Sequence, residues 1–287
     1  MTFFLITTDH LETRLWFLDD DDFKTGMNYV ATVAFLLGVR VIAFILMSNH
    51  VHFVLECTRE QAVRFITEFK RLYSRYLNQK HGTKELLRDN GVDIQELRLE
   101  DESLERAIAY VQMNCVAANI CLEPAAYPWG TGRTFFQVSA KRGQCLGTLS
   151  ARKKNKLLHS KMILPAGWML GEDGYILPES YVPVKFVESL FRSPRRMQYF
   201  LQNSSKAKRV LDRIEKDLPA FRDQVILAAI PDLCHSLFQK RSIEELDIPQ
   251  KTELARQIRY RFSADIHQIA RVSGMPYQQI ASLLESF

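Results

Sequence analysis

The chain has 287 residues, 47% of them hydrophobic and 25% charged, with a formal net charge of +5. That length exceeds one minimal domain, and the composition excludes a wholly disordered or fibrous chain. The longest apolar stretch, Val41 to Met47, falls far short of the roughly 20 residues that a membrane-spanning helix needs.

Five cysteines, an odd number with no CxxC pair, argue against a disulfide framework and against a structural zinc site. The start, Met1-Thr2-Phe3-Phe4-Leu5, shows neither a basic leader nor a small-residue cleavage site, so a cytoplasmic protein is expected. The charge is unevenly placed. Residues 1–137 hold 14 Lys/Arg against 18 Asp/Glu, a net of −4, and residues 138–287 hold 24 against 15, a net of +9. The second half is therefore the expected polyanion binder.

In chain order, Phe3 to Thr7 is a short β-prone run. The acidic run Asp19 to Asp22 follows, and Asp22 is placed to N-cap a helix over about 23–37, stopped by Gly38. A metal site is the alternative reading of that acidic run. Val39 to Met47 and His50 to Glu56 are β-branched apolar runs around Ser48-Asn49, a hairpin pattern. Thr58 to Lys80 reads as a long amphipathic helix with Val63, Ile66, Phe69, Leu72, Tyr73, Tyr76 and Leu77 on its apolar stripe. The polar stretch 81–101 is expected to be loop-rich, and a helix is expected over about 104–118. Tyr127-Pro128-Trp129-Gly130-Thr131-Gly132 closes this first unit. A basic stretch, Arg152-Lys153-Lys154-Asn155-Lys156, comes next, and from Val184 onward the pattern is helical.

His50-Val51-His52 carries the sharpest chemical signal. Residues i and i+2 of a strand share a face, so the two imidazoles project in parallel and can share a divalent ion. Two histidines alone leave a metal short of ligands. Tyr110 and Asn114 are four residues apart on one helical face. A phenol can attack phosphorus and an amide oxygen can join a coordination shell. Tyr73 and Tyr76 compete for the nucleophile role, although both also fit the apolar stripe of their helix.

Phe44 to Leu55, with Met47-Ser48-Asn49-His50-Val51-His52 at its centre, resembles the strand–turn–strand signature of the IS200-like Y1 transposases, the single-tyrosine HUH nucleases. Tyr110-Val111-Gln112-Met113-Asn114 resembles the tyrosine motif of that family. Tyr127-Pro128-Trp129 resembles the closing motif of its subgroup associated with repetitive extragenic palindromes. Two departures stand out. Asn114-Cys115-Val116-Ala117-Ala118 replaces Asn-Pro-Val-Arg-Ala, and the Gly-Thr-x-x-Trp-x-x-Arg-Tyr segment between the motifs is missing.

The resemblance implies an α+β fold: a ferredoxin-like antiparallel sheet with helices over residues 1–137, joined to a mostly α-helical domain over 138–287. It implies that Tyr110 attacks a DNA phosphorus to form a 5′-phosphotyrosine. His50, His52 and Asn114 would hold Mg²⁺ or Mn²⁺, which helps because a phenol ordinarily titrates near 10. Single-stranded or hairpin DNA is the implied partner, and a homodimer sharing active sites is an arrangement the family uses. A regulator that keeps the fold and binds DNA without cutting it is the alternative, and a helical interaction protein with an incidental HxH is the third reading.

In the basic half, residues 263–285 read as helix, Gly-containing turn and helix. Tyr277, Gln278, Gln279 and Ser282 would face base edges. Lys206, Lys208, Arg209, Arg256, Arg259 and Arg261 are candidate phosphate contacts, and His267 is expected on the surface. Ser193 to Phe200 mixes cations with aromatics, as base-stacking surfaces do, although Tyr199 and Phe200 read better as core. Cys115 and Cys121 read as small buried hydrophobes rather than metal ligands.

Overall fold

The computed structural model describes residues 2–9, 14–84, 87, 90–99, 101–137, 143–204, 221–262 and 264–285. The alternation of short β-branched runs with amphipathic segments builds β1 (Thr2–Thr8), α1 (Asp20–Leu37), β2 (Arg40–Met47), β3 (His50–Cys57), α2 (Arg59–His81) and β4 (Val92–Leu97). Strand order in the sheet is β2-β3-β1-β4, and each neighbouring pair is antiparallel. This is the ferredoxin-like split βαβ arrangement.

Both faces of the sheet are covered. On one, Phe53 meets Phe65 and Phe69 of α2 at ring distances of 5.1 and 5.4 Å. On the other lies α3 (Ser103–Gln112). Double coverage explains why β2 and β3 are buried at nearly every position rather than at alternate ones.

Three local expectations are corrected. The stretch 81–101 contains β4, an edge strand whose exposed Asp93, Gln95 and Glu96 gave no hydrophobic signal. Such an edge needs only backbone pairing to β1 and is protected by charge. The N-cap of α1 is Asp19, which accepts from the Asp22 N–H at 2.9 Å; Asp22 lies inside the helix and is fully buried. The helix expected over 104–118 breaks at Met113 into α3 and the short α4 (Asn114–Ala117). In α2, Val63 is 46% exposed and lies off the buried stripe.

The first core does not stop at residue 137. Tyr175, Leu177, Val187, Phe191, Met197 and Phe200 belong to the same buried cluster as the sheet. Here α6 (Val184–Phe191) and α7 (Pro194–Gln202) pack beside β1 and α3: Phe186 stacks on Phe3 at 5.9 Å, and Arg196 pairs with Glu102 at 2.9 Å. Phe200 is core as expected, but Tyr199 is 62% exposed.

A small cluster between the two halves, including Leu146, Leu158 and Ile176, packs on Ala31 of α1. It carries β5 (Gly143–Cys145), α5 (Ala151–Leu158) and β6 (Met169–Gly171). A separate core gathers α8 (Asp223–Phe238), α9 (Ile248–Phe262), α10 (Ile266–Ser273) and α11 (Tyr277–Glu285). The buried cluster of the sheet thus takes in residues as far along the chain as Phe200, and the separate cluster takes in residues from Ile226 onward. No described helix is long and apolar enough to cross a membrane.

Candidate active site

The hairpin turn at Ser48-Asn49 sets His50 at the first position of β3. The turn is clamped from outside, where the Trp16 and Phe17 N–H groups donate to the Ser48 carbonyl at 2.7 and 3.2 Å. Strand alternation then turns His50 and His52 to the α3 face, while Val51 and Phe53 turn to α2. The two imidazoles lie edge to face, 4.9 Å between centroids, and both are buried.

Each ring is oriented by an oxygen at Nδ1. His50 Nδ1 lies 2.9 Å from Asn49 Oδ1, and an amide oxygen only accepts, so Nδ1 is the donor and Nε2 is turned away from that bond. His52 Nδ1 lies 3.1 Å from Thr7 Oγ1, directly across the β1–β3 pairing. Such outer partners fix tautomer and ring plane at metal-binding histidines. Sequence reading did not find Thr7, because only the strand register sets it opposite His52.

Tyr110 comes to this face from α3. Its ring meets that of His52 edge on, 5.5 Å between centroids, within one chain. It is partly exposed, whereas its neighbours Ala109 and Val111 are buried. Asn114, one turn on, is buried, and its NH₂ donates to the carbonyls of Tyr110 and Val111 at 2.9 and 3.3 Å. That anchors the amide by its nitrogen and turns Oδ1 away from those carbonyls. Cys115 donates to the Gln112 carbonyl at 3.3 Å; contact with the Cys121 thiol, together with burial, pushes its pKa up. It is a core residue, as the sequence suggested.

The closing Tyr-Pro-Trp segment positions α3. Gly130 bridges Ile45 on the free edge of β2, the Leu46 N–H donates to Trp129 O at 2.8 Å, and Tyr127 Oη donates to Leu46 O at 2.8 Å. Gln112 Nε2 then donates to Thr131 O at 3.2 Å, tying the end of α3 to that edge. At the other end, Arg196 of α7 reaches Glu102 at 2.9 Å and Glu105 at 3.8 Å. The tyrosine helix is thus held at both ends.

The competing tyrosines lie on the opposite side of the sheet, in the α1–α2 layer. Tyr73 Oη donates to Trp16 O at 2.6 Å and is fully buried, with its pKa raised by that burial. Tyr76 Oη donates to Asp22 at 3.1 Å. Neither shares the histidine face.

Among the described residues, one group of three His, Cys, Asp or Glu side chains lies close enough to hold an ion: Asp19, Asp22 and His81. Lys80 Nζ already sits 2.7 Å from Asp19 and 2.8 Å from Asp22, and His81 Nε2 lies 3.0 Å from Asp22. The Lys80 ammonium thus already occupies the space between the two carboxylates.

Residues 12–93 match the family model described as "Transposase IS200 like". Over these residues the chain is similar to that family. The match takes in the histidine pair and ends before Tyr110 and Asn114. A solved structure described as a REP-associated tyrosine transposase bound to a REP hairpin is similar at 11% identity, covering 58% of this chain and 90% of that one, with a TM-score of 0.35. No curated protein matches the chain.

Beyond the IS200-like segment, Gln278, Gln279 and Ser282 of α11 are exposed. Tyr277 is half-buried and stacks on His267 at 4.4 Å. Gly274, at φ +69°, makes the turn between α10 and α11. Arg259 and Arg261 are exposed, and Arg256 is half-buried 3.9 Å from Glu253. Lys206, Lys208 and Arg209 lie outside the described residues.

Proposed function

We propose that the chain is a tyrosine-nucleophile DNA strand transferase acting on single-stranded or hairpin DNA. The observation that carries this reading is the approach of Tyr110 to His52 on the face shared with His50. Tyr110 Oη attacks the phosphorus, the bond to O3′ breaks, and a 5′-phosphotyrosine forms. The phenol proton is lost and the departing 3′-oxygen gains one, so the step balances without ATP. Attack by a 3′-hydroxyl on the phosphotyrosine reverses it.

The donor set suits a divalent ion in part. His50 and His52 stand side by side, and Asn114, one turn beyond Tyr110 with its NH₂ tied to α3 carbonyls, would add an amide oxygen, while no third His, Cys, Asp or Glu joins the pair among the described residues. Imidazoles favour softer ions, so the pair suits Mn²⁺ better than Mg²⁺. When bound, such an ion polarises the phosphoryl oxygen and neutralises charge in the transition state. Thr7 and Asn49 keep the rings oriented, and the ties at both ends of α3 keep Tyr110 against them. The exposed end of α11 and the arginines of α9 supply DNA contacts.

The test is covalent capture of a labelled single-stranded oligonucleotide with Mn²⁺, read on a denaturing gel. Tyr110→Phe loses the adduct and Tyr76→Phe keeps it. An adduct that survives Tyr110→Phe and vanishes in Tyr76→Phe refutes the assignment.

A further inference from the structure

On the opposite face of the IS200-like unit, a cleft of about 660 Å³ opens between the start of α1, the end of α2 and α5. Four lysines, Lys24, Lys80, Lys153 and Lys156, line it against a single aspartate, Asp21. Lys24 is paired with Asp21 at 3.0 Å, and Lys80 with Asp19 and Asp22. Lys153 and Lys156 differ. Three residues apart on α5, they share a helical face, are exposed, and form no ion pair with a carboxylate among the described residues. Two uncompensated cations at the mouth of a cleft favour an anion.

The wall of the cleft is aromatic. Tyr76 and His159 lie 4.8 Å apart between ring centroids, and both line it. His159 ends α5 in the left-handed region at φ +44°, where a non-glycine residue is held at a cost of about 1–2 kcal/mol. That conformation sets its ring against Tyr76. Asn28 fixes the depth of the site: its Oδ1 accepts from the Ile176 N–H at 2.9 Å, and its Nδ2 donates to Leu157 O at 3.4 Å. An aromatic wall beside paired cations is the composition that takes an unpaired base and its phosphate.

We infer that this cleft is a second DNA-binding site, in which Lys153 and Lys156 hold a phosphodiester of a single strand and the Tyr76–His159 wall takes its base. The inference rests on the proposed action on DNA, but not on the chemistry of Tyr110. It gives the basic stretch 152–156 a role, and it explains how a unit of net charge −4 holds nucleic acid: lysines from beyond residue 137 are folded back onto it.

The test compares the full chain with the double variant Lys153→Gln/Lys156→Gln and with His159→Asn. Asn tolerates the left-handed backbone, so the second variant removes the ring without unfolding the cap. Binding of a fluorescent single-stranded oligonucleotide is titrated against salt, and adduct yield is measured at saturating oligonucleotide. The double variant is expected to bind roughly tenfold more weakly near 0.1 M salt, with the slope of log K against log[salt] shallower by about 1.4 for two lost phosphate contacts. His159→Asn weakens binding without changing the slope. Unchanged affinity and slope in the double variant overturn the inference. Binding to wild type without any adduct defeats the Tyr110 reading and leaves the cleft standing, provided the double variant still weakens it. A free mononucleotide that depends on these lysines, with oligonucleotides that do not, overturns the strand assignment. A wild-type chain that binds no oligonucleotide overturns both readings.

Discussion

Replacing Asp22 by Ala asks whether the acidic cluster at the start of α1 is a structural joint or a metal site. The carboxylate is fully buried and engaged on all sides. Its Oδ2 accepts from the Leu18 N–H at 2.8 Å and lies 3.0 Å from His81 Nε2; its Oδ1 accepts from Tyr76 Oη at 3.1 Å and from Lys80 at 2.8 Å. Burial opposes the Lys80 charge, but hydrogen bonds to Asp19 and Asp22 win and hold its pKa above the usual lysine range. In Asp22→Ala the Leu18 N–H and Tyr76 hydroxyl lose a buried acceptor, at about 1–3 kcal/mol each. Lys80 and His81 recover water because they are partly exposed, so their share is small. The expected loss is roughly 4 kcal/mol. With an unfolding entropy of about 2.1 cal/mol/K per residue over roughly 200 residues of the first core, Tm falls by about 10 °C. The assay is thermal unfolding of wild type and variant, each with and without EDTA. EDTA is expected to leave the wild-type Tm unchanged. A wild-type Tm that drops on chelation and returns with Mn²⁺, together with loss of that response in Asp22→Ala, refutes the structural account.

Gly130→Ala places a Cβ 2.5 Å from the Phe44 carbonyl and 3.0 Å from the Ile45 Cα, so the segment must leave the β2 edge; stability is expected to fall by about 1–3 kcal/mol in denaturant unfolding. Adduct formation is expected to fall further than stability, because the same segment anchors α3 through Gln112. Gln278→Ala with Gln279→Ala is expected to leave Tm within a degree or two and to lower the preference for specific over random DNA in competition binding, since both side chains are exposed. Burial, with help from Lys80, depresses the pKa of His159 below the usual 6.5. The unfolded chain therefore binds the proton more readily, and the contribution of His159 is full above pH 6.5 and lost as pH falls through the depressed value. Unfolding followed between pH 7.5 and 5 is expected to show this acid-side loss, and His159→Asn to remove it.

The core strands and both long helices were legible because their signals are local. Hairpin turn and apolar stripe each lie within a few residues; the cap of α1 was misplaced from Asp19 to Asp22 because four aspartates in a row offer the same signal. β4 was not legible, since an edge strand with one partner can be polar. The break at Met113 was not legible either; there the Asn114 side chain donates back to the carbonyls of Tyr110 and Val111, contacts that helical period alone does not signal.

By itself the sequence determined the residue types of the candidate site: alternation places His50 and His52 on one face, and helical period places Tyr110 and Asn114 together. Which tyrosine meets the histidines was decided by tertiary structure, because Tyr73, Tyr76 and Tyr110 all lie on helices and only packing assigns each helix to a side of the sheet. The same holds for charge. A net of −4 followed by +9 is a fact of the chain, but α5 docks on α1 through Leu158 and Ala31, and that long-range packing sets Lys153 and Lys156 beside Lys24 and Lys80. Residue identity and short-range period are written in order along the chain, whereas the neighbours a side chain meets depend on contacts between segments far apart in it.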